Sequence, residues 1–180
     1  MIDIRKNPYG KYNGNEQEYV LRALDRETPD NRDISWTTKL EEKFCEVMGL
    51  NYSIACNSGT SGLHAALFAA GIEPGDEVII PGLTVIMDPL VCIHMGATPI
   101  FADVDYKTHN IDSKDVRKKI TSKTKAIIVV ALHGLPVDMD PIMKIAEEFN
   151  LIIIEDTCQT FLGKYKNKYS GTIGHINVGA

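Results

Sequence analysis

Leu151-Ile152-Ile153-Ile154-Glu155-Asp156-Thr157 is the stretch that decides the fold. Four aliphatic residues follow one another with no polar alternation, as expected of a strand covered on both faces, and such strands belong to parallel sheets flanked by helices. Ala126-Ile127-Ile128-Val129-Val130 repeats the pattern upstream. Further outward, apolar runs over 77–80, 98–104, 125–131 and 151–155 alternate with helical patterns over 85–95, 113–120 and 140–149. Turn formers fall between them, at Glu73-Pro74-Gly75-Asp76, Pro81-Gly82, Asp105 and Gly134-Leu135-Pro136. An α/β fold with mainly parallel strands follows. Residues 171–180 read as the approach to one more strand, so the sheet is expected to be incomplete in this chain.

Toward the other end, Thr37 or Thr38 can cap a helix carrying Leu40, Phe44, Val47 and Met48 as a core-like stripe, stopped by Gly49. A second core-like stripe is Met143, Ile145 and Phe149. A short apolar strand over 52–56 leads to the turn Asn57-Ser58-Gly59-Thr60 and a helix with Leu63, Ala66, Leu67 and Ala70 on one side. Residues 1–35 have mixed polarity and many turn formers, and are expected to be an arm or loop; 36–180 then form one partial domain.

With 180 residues and 44% apolar content, the chain can bury one sizeable core. A net charge of -5, spread rather than massed, argues against a nucleic-acid or anionic-membrane surface. Four widely spaced cysteines read as buried free thiols in a reducing cytoplasm, with neither disulfide nor zinc spacing. No signal-like core and no membrane-length apolar run is visible, and the five histidines form no metal-ligand pair.

Two places could do chemistry. Asn57-Ser58-Gly59-Thr60-Ser61-Gly62 opens a helix, where unpaired N–H groups and the helix dipole can hold a phosphate, with Gly59 permitting close approach; Ser58 as an ordinary N-cap explains the same residues. Glu155 and Asp156 end a buried strand, at the edge where parallel sheets bind ligands. Asp156 there can keep a pyridine nitrogen protonated, hold magnesium, or cap the next helix. The magnesium alternative needs a companion Gly-x-x-x-x-Gly-Lys-Ser/Thr loop, and none occurs. Ser58, Ser61 and Cys158 lack the context of a hydrolase nucleophile. His133 follows a buried strand at the same edge as Asp156.

In order, Asn57-Ser58-Gly59-Thr60-Ser61-Gly62-Leu63-His64-Ala65-Ala66, Gly75-Asp76-Glu77-Val78-Ile79-Ile80-Pro81, Gly96-Ala97-Thr98-Pro99-Ile100-Phe101-Ala102-Asp103-Val104-Asp105, Gly134-Leu135-Pro136-Val137-Asp138-Met139-Asp140 and Ile154-Glu155-Asp156-Thr157-Cys158-Gln159 resemble the DegT/StrS-type sugar aminotransferases. The resemblance runs from near Thr38 to the chain end. It implies the three-layer large domain of a fold-type I pyridoxal 5′-phosphate enzyme around a mainly parallel central sheet. By the same resemblance Gly59 and Thr60 contact the cofactor phosphate, Asp156 is the catalytic partner of the ring nitrogen, Gln159 approaches the phenolic oxygen, and Thr84 and Val85 cover the ring. Val85 departs from the aromatic residue common in relatives, and His133 stands two places after their usual histidine.

The implied activity moves an amino group, commonly from glutamate, to a nucleotide-linked keto-sugar, in a homodimer with active sites near the subunit boundary. No lysine aligns with the family's Schiff-base lysine; Lys164, Lys166 and Lys168 read as a solvated hairpin, so an isolated fragment without that lysine is expected to be inactive. The rival expectations are a related dehydratase with histidine in place of the lysine, and a cofactor-free binding protein on the same fold.

Overall fold

In the computed structural model, which describes residues 14–26 and 36–179, the unbroken apolar runs become the middle of a sheet. Its strands are β1 (Glu77–Pro81), β2 (Thr98–Ala102), β3 (Thr124–Val130), β4 (Ile152–Asp156) and β7 (Ile176–Val178), ordered β2-β1-β3-β4-β7 and all parallel. A hairpin of β5 (Lys164–Tyr165) and β6 (Lys168–Tyr169) sits apart, where the lysine-rich segment suggested one.

Helices cover both faces. Neighbouring residues of one strand enter opposite cores: Ile128 and Ile154 pack with Leu63 and Leu67 of α3 (Gly59–Ala69) and Val91 of α4 (Met87–His94). Ile127 and Ile153 pack with Val116 of α5 (Ser113–Lys119) and Met139, Ile142 and Ile145 of α6 (Met139–Phe149). This period-two division explains why β3 and β4 show no polar alternation, since each pleat face has its own helical layer. Three layers and a mainly parallel sheet are therefore present. The register pairs Val130 with Asp156 and Asp156 with Val178, so β3, β4 and β7 end level.

Several local expectations are corrected. Within residues 1–35 the sequence pattern predicts no helix, and one is present, α1 (Glu16–Arg26), with an exposed Glu18–Arg22 ion pair at 2.6 Å and Tyr19 against Trp36 at 5.5 Å between ring centroids. The rest of 1–35 lies outside the described residues. Helix α2 (Trp36–Met48) begins before Thr37 and Thr38, so neither is its N-cap. Its stripe is not core: Leu40 is 62% exposed and Val47 is also exposed, while Met48 alone is buried. Gly49 does stop it, at φ +70°. Residues 52–56 form no strand, and Tyr52 and Ile54 face outward. In α6 the buried stripe is Met139, Ile142, Ile145 and Ala146, with Phe149 left at the exposed rim. Of the cysteines, all free, Cys92 is buried and Cys56 is exposed.

Candidate functional site

Helix α3 starts at the carboxyl edge of the sheet. Ser58 is extended at φ -162° and its Oγ accepts from the N–H of Ser61 at 3.1 Å; the Ser61 hydroxyl donates to Asn57 Oδ1 at 2.6 Å. The cap thus engages the third helical N–H, while those of Gly59 and Thr60 open the helix and have no intrahelical acceptor. Glycine is needed at the first position, because a Cβ on Gly59 would lie 2.9 Å from Cys158 Sγ. A Cβ on Gly62 would meet Val178 Cγ1 at the same distance. These two contacts seat the first turn of α3 on the segment after β4 and on the end of β7.

At the end of β4 the adjacent acids diverge as strand neighbours do. Glu155, buried, accepts from the N–H groups of Gly171 and Ile173, both at 2.8 Å, and so fixes the approach to β7. Asp156 is 4% exposed, and its Oδ1 accepts from the N–H of Cys158 at 2.9 Å. A second acid meets it there. Asp88, on the first turn of α4, is fully buried, receives a hydrogen bond from the Thr84 hydroxyl, and lies within hydrogen-bonding reach of Asp156. Its Oδ1 has no hydrogen-bond donor among the described residues. Burial pushes Asp88 up to about 7; the Thr84 hydrogen bond opposes this and the Asp156 charge adds to it. Burial, then the acids, push the Cys158 thiol up to about 12, and burial does the same for Cys92. A thiol held up in this way is a poor nucleophile, which argues against Cys158 in that role.

Gln159, exposed just beyond, accepts from the backbone N–H of His133 at 2.8 Å through Oε1. His133 occupies a left-handed conformation at φ +55°, in the 3₁₀ turn Leu132–Gly134 that follows β3, and its ring lies edge-on to His109 at 6.1 Å. Val85, 40% exposed, belongs with Thr84 to the loop from β1 into α4, whose first turn carries Asp88. The candidate residues Gly59, Thr60, Val85, Asp156 and Gln159 all stand on segments at the carboxyl edge of the sheet. Asp88 was missed from sequence, although it is the only charged acid or base among the apolar residues 85–93 and that isolation was the available signal. Among the described residues no cluster could hold a metal ion, and the ion pairs among them include neither Asp88 nor Asp156.

A family model described as the DegT/DnrJ/EryC1/StrS aminotransferase family matches residues 12–179. The chain belongs to that family. Against the GDP-perosamine synthase of Escherichia coli O157:H7, this DegT/DnrJ/EryC1/StrS member is 44% identical over 165 residues, covering 92% of this chain and 45% of that protein. Among solved structures, the aminotransferase from Psychrobacter cryohalolentis matches at TM-score 0.87 and 37% identity, over 95% of this chain and 43% of that one. A GDP-4-keto-6-deoxymannose-3-dehydratase mutant with bound GDP-perosamine matches at TM-score 0.84 and 26% identity, over 93% and 44%. The chain thus spans less than half the length of the relatives it matches.

The cofactor of this family is pyridoxal 5′-phosphate, and the donor set fits such a molecule. Two helix-opening N–H groups suit its dianionic tail, and a glycine with no room for a methyl group keeps the backbone close. A buried carboxylate with one oxygen already taken by the Cys158 N–H leaves the other for a protonated ring nitrogen.

Proposed function

We propose that the chain forms the cofactor-binding part of a pyridoxal-phosphate aminotransferase that transfers an amino group from glutamate to a nucleotide-linked keto-sugar. The observation that carries this is the meeting of the α3 start with the end of β4, through the contact of Gly59 with Cys158. When bound, the cofactor supplies an electron sink for carbanion charge at the substrate.

The chain's own residues bind and orient it. Gly59 and Thr60 hold the phosphate with backbone N–H groups, and the Thr60 hydroxyl adds a donor. Asp156 keeps the ring nitrogen protonated, Gln159 is positioned by His133 to reach the phenolic oxygen, and Val85 lies over the ring with less stacking surface than an aromatic residue gives. Lys166 is held by Asp140 and Lys164 lies over Tyr169 at 4.5 Å, which supports assigning neither as the Schiff-base lysine; without that lysine the isolated chain binds but does not turn over. Residues 36–180 act as the partial large domain, and 1–35 as an arm over a neighbouring subunit of a homodimer. Four free thiols agree with work in the cytoplasm, and among the described residues no helix is long and apolar enough to cross a membrane.

The test is titration of the chain with pyridoxamine 5′-phosphate, followed by the ligand's fluorescence. The wild type is expected to saturate, and Asp156→Ala to bind roughly ten- to hundredfold more weakly with little loss of stability. Equal affinity in the two proteins removes Asp156 from the role. The transfer step is tested on the full gene product with glutamate and GDP- or UDP-linked keto-sugars. A dehydrated sugar in place of an amino sugar selects the second reading, which the likeness to the dehydratase favours.

A further inference from the structure

Asp88 has no role in the chemistry above, yet it is fully buried against Asp156. Two carboxylates cannot both stay ionised at hydrogen-bonding range in a buried place where no described residue sets a cation beside them, and one proton relieves both the repulsion and the unsatisfied Oδ1. The groups around Asp88 are the Thr84 hydroxyl from the loop after β1, the Cys92 thiol from its own helix, Asp156 from β4 and the Cys158 thiol beyond it. Thr84 donates to Oδ2, and Cys158 donates its N–H to Asp156, so each acid is held by one fixed donor.

We propose that Asp88 is a positioning residue: it carries a proton that it donates to Asp156, which aims the Asp156 carboxylate at the cofactor's ring nitrogen and leaves one negative charge to meet one positive charge. The positioning role rests on the cofactor assignment above; the proton sharing does not. With both acids ionised, the filled site would hold a surplus buried charge, so ionisation of Asp88 opposes a neutral, well-ordered pair.

The sign of the pH effect follows from the raised pKa. Asp88 is lifted from its ordinary 3.8 to about 7, so the folded chain binds more protons than the unfolded chain between those values. Its contribution to stability is complete below the lower value, is lost as pH rises toward the upper one, and stays lost above it.

Thermal unfolding of the cofactor-free chain across this range tests the proton. Asp88→Asn, which can donate to Asp156 and accept from Thr84, is expected to come nearest the wild type below about pH 4, to gain on it as pH rises, and to melt several degrees higher near about pH 8. Parallel curves for the two proteins overturn the proton sharing. Pyridoxamine 5′-phosphate titration tests the positioning: Asp88→Asn is expected to bind as the wild type does, and Asp88→Val roughly tenfold more weakly. If Asp88→Val does not fold, the Asn variant decides, since a tenfold loss with Asn overturns the positioning role. A wild type that takes up no ligand overturns the cofactor assignment and the positioning role together, while the melting curves still decide the proton.

Discussion

Gly59 shows how little room separates a backbone from a binding site. A methyl group there would lie 2.9 Å from Cys158 Sγ, closer than such atoms approach, and the sulfur belongs to a short side chain with few ways to move. Gly59→Ala is expected to cost about 1–2 kcal/mol in chemical denaturation and to weaken pyridoxamine phosphate binding. Adding Cys158→Ala is expected to recover most of the stability, because it removes the obstructing atom; an uncorrected double variant would mean that the glycine acts through backbone freedom alone. Residue identity at this site was partly legible in the sequence. Ser58-Gly59-Thr60 and Asp156 are recognisable as a helix start and a strand end. Asp88 was not, because nothing in a sequence says that the first turn of one helix will meet the last residue of a strand far along the chain.

The elements divide by whether they are covered on one side or two. Strands β1, β3 and β4 were legible to within a residue or so, since residues buried on both faces leave an unbroken apolar run. Helix α3 was legible from Leu63, Ala66 and Leu67, which the structure buries. Helix α2 misled: its spacing is helical, but among the described residues little packs on Leu40 and Val47, and periodicity identifies an apolar face without saying what will cover it. Residues 52–56 misled in the same way, an apolar composition having stood in for strand pairing. Because α3 both covers the sheet and starts at the ligand edge, Leu67→Ala is expected to cost about 2–5 kcal/mol in denaturation experiments. On the proposed assignment of Gly59 and Thr60 to the phosphate, the same variant is expected to raise the dissociation constant for pyridoxamine phosphate.

Across the whole molecule, large apolar side chains are left outward, among them Tyr52, Ile54, Phe68, Ile86 and Phe161, each more than 60% exposed. Where such side chains lie together in one patch, they mark a contact with other protein. Light scattering of the purified chain is expected to report a dimer, and Phe68→Asp to shift it toward monomer without altering the far-ultraviolet circular dichroism. A wild-type monomer would assign those side chains to something other than a second copy. The seat of α3 on Val178 has a further consequence for synthesis. A nascent chain emerging from the ribosome exposes the start of α3 long before β7 has left the exit tunnel, and Asp156 has β3 on one side but lacks its β7 neighbour until then. The seat of the helix start therefore has to wait for translation of β7, and a stall before Val178 leaves a product whose first α3 turn is unsupported on that side.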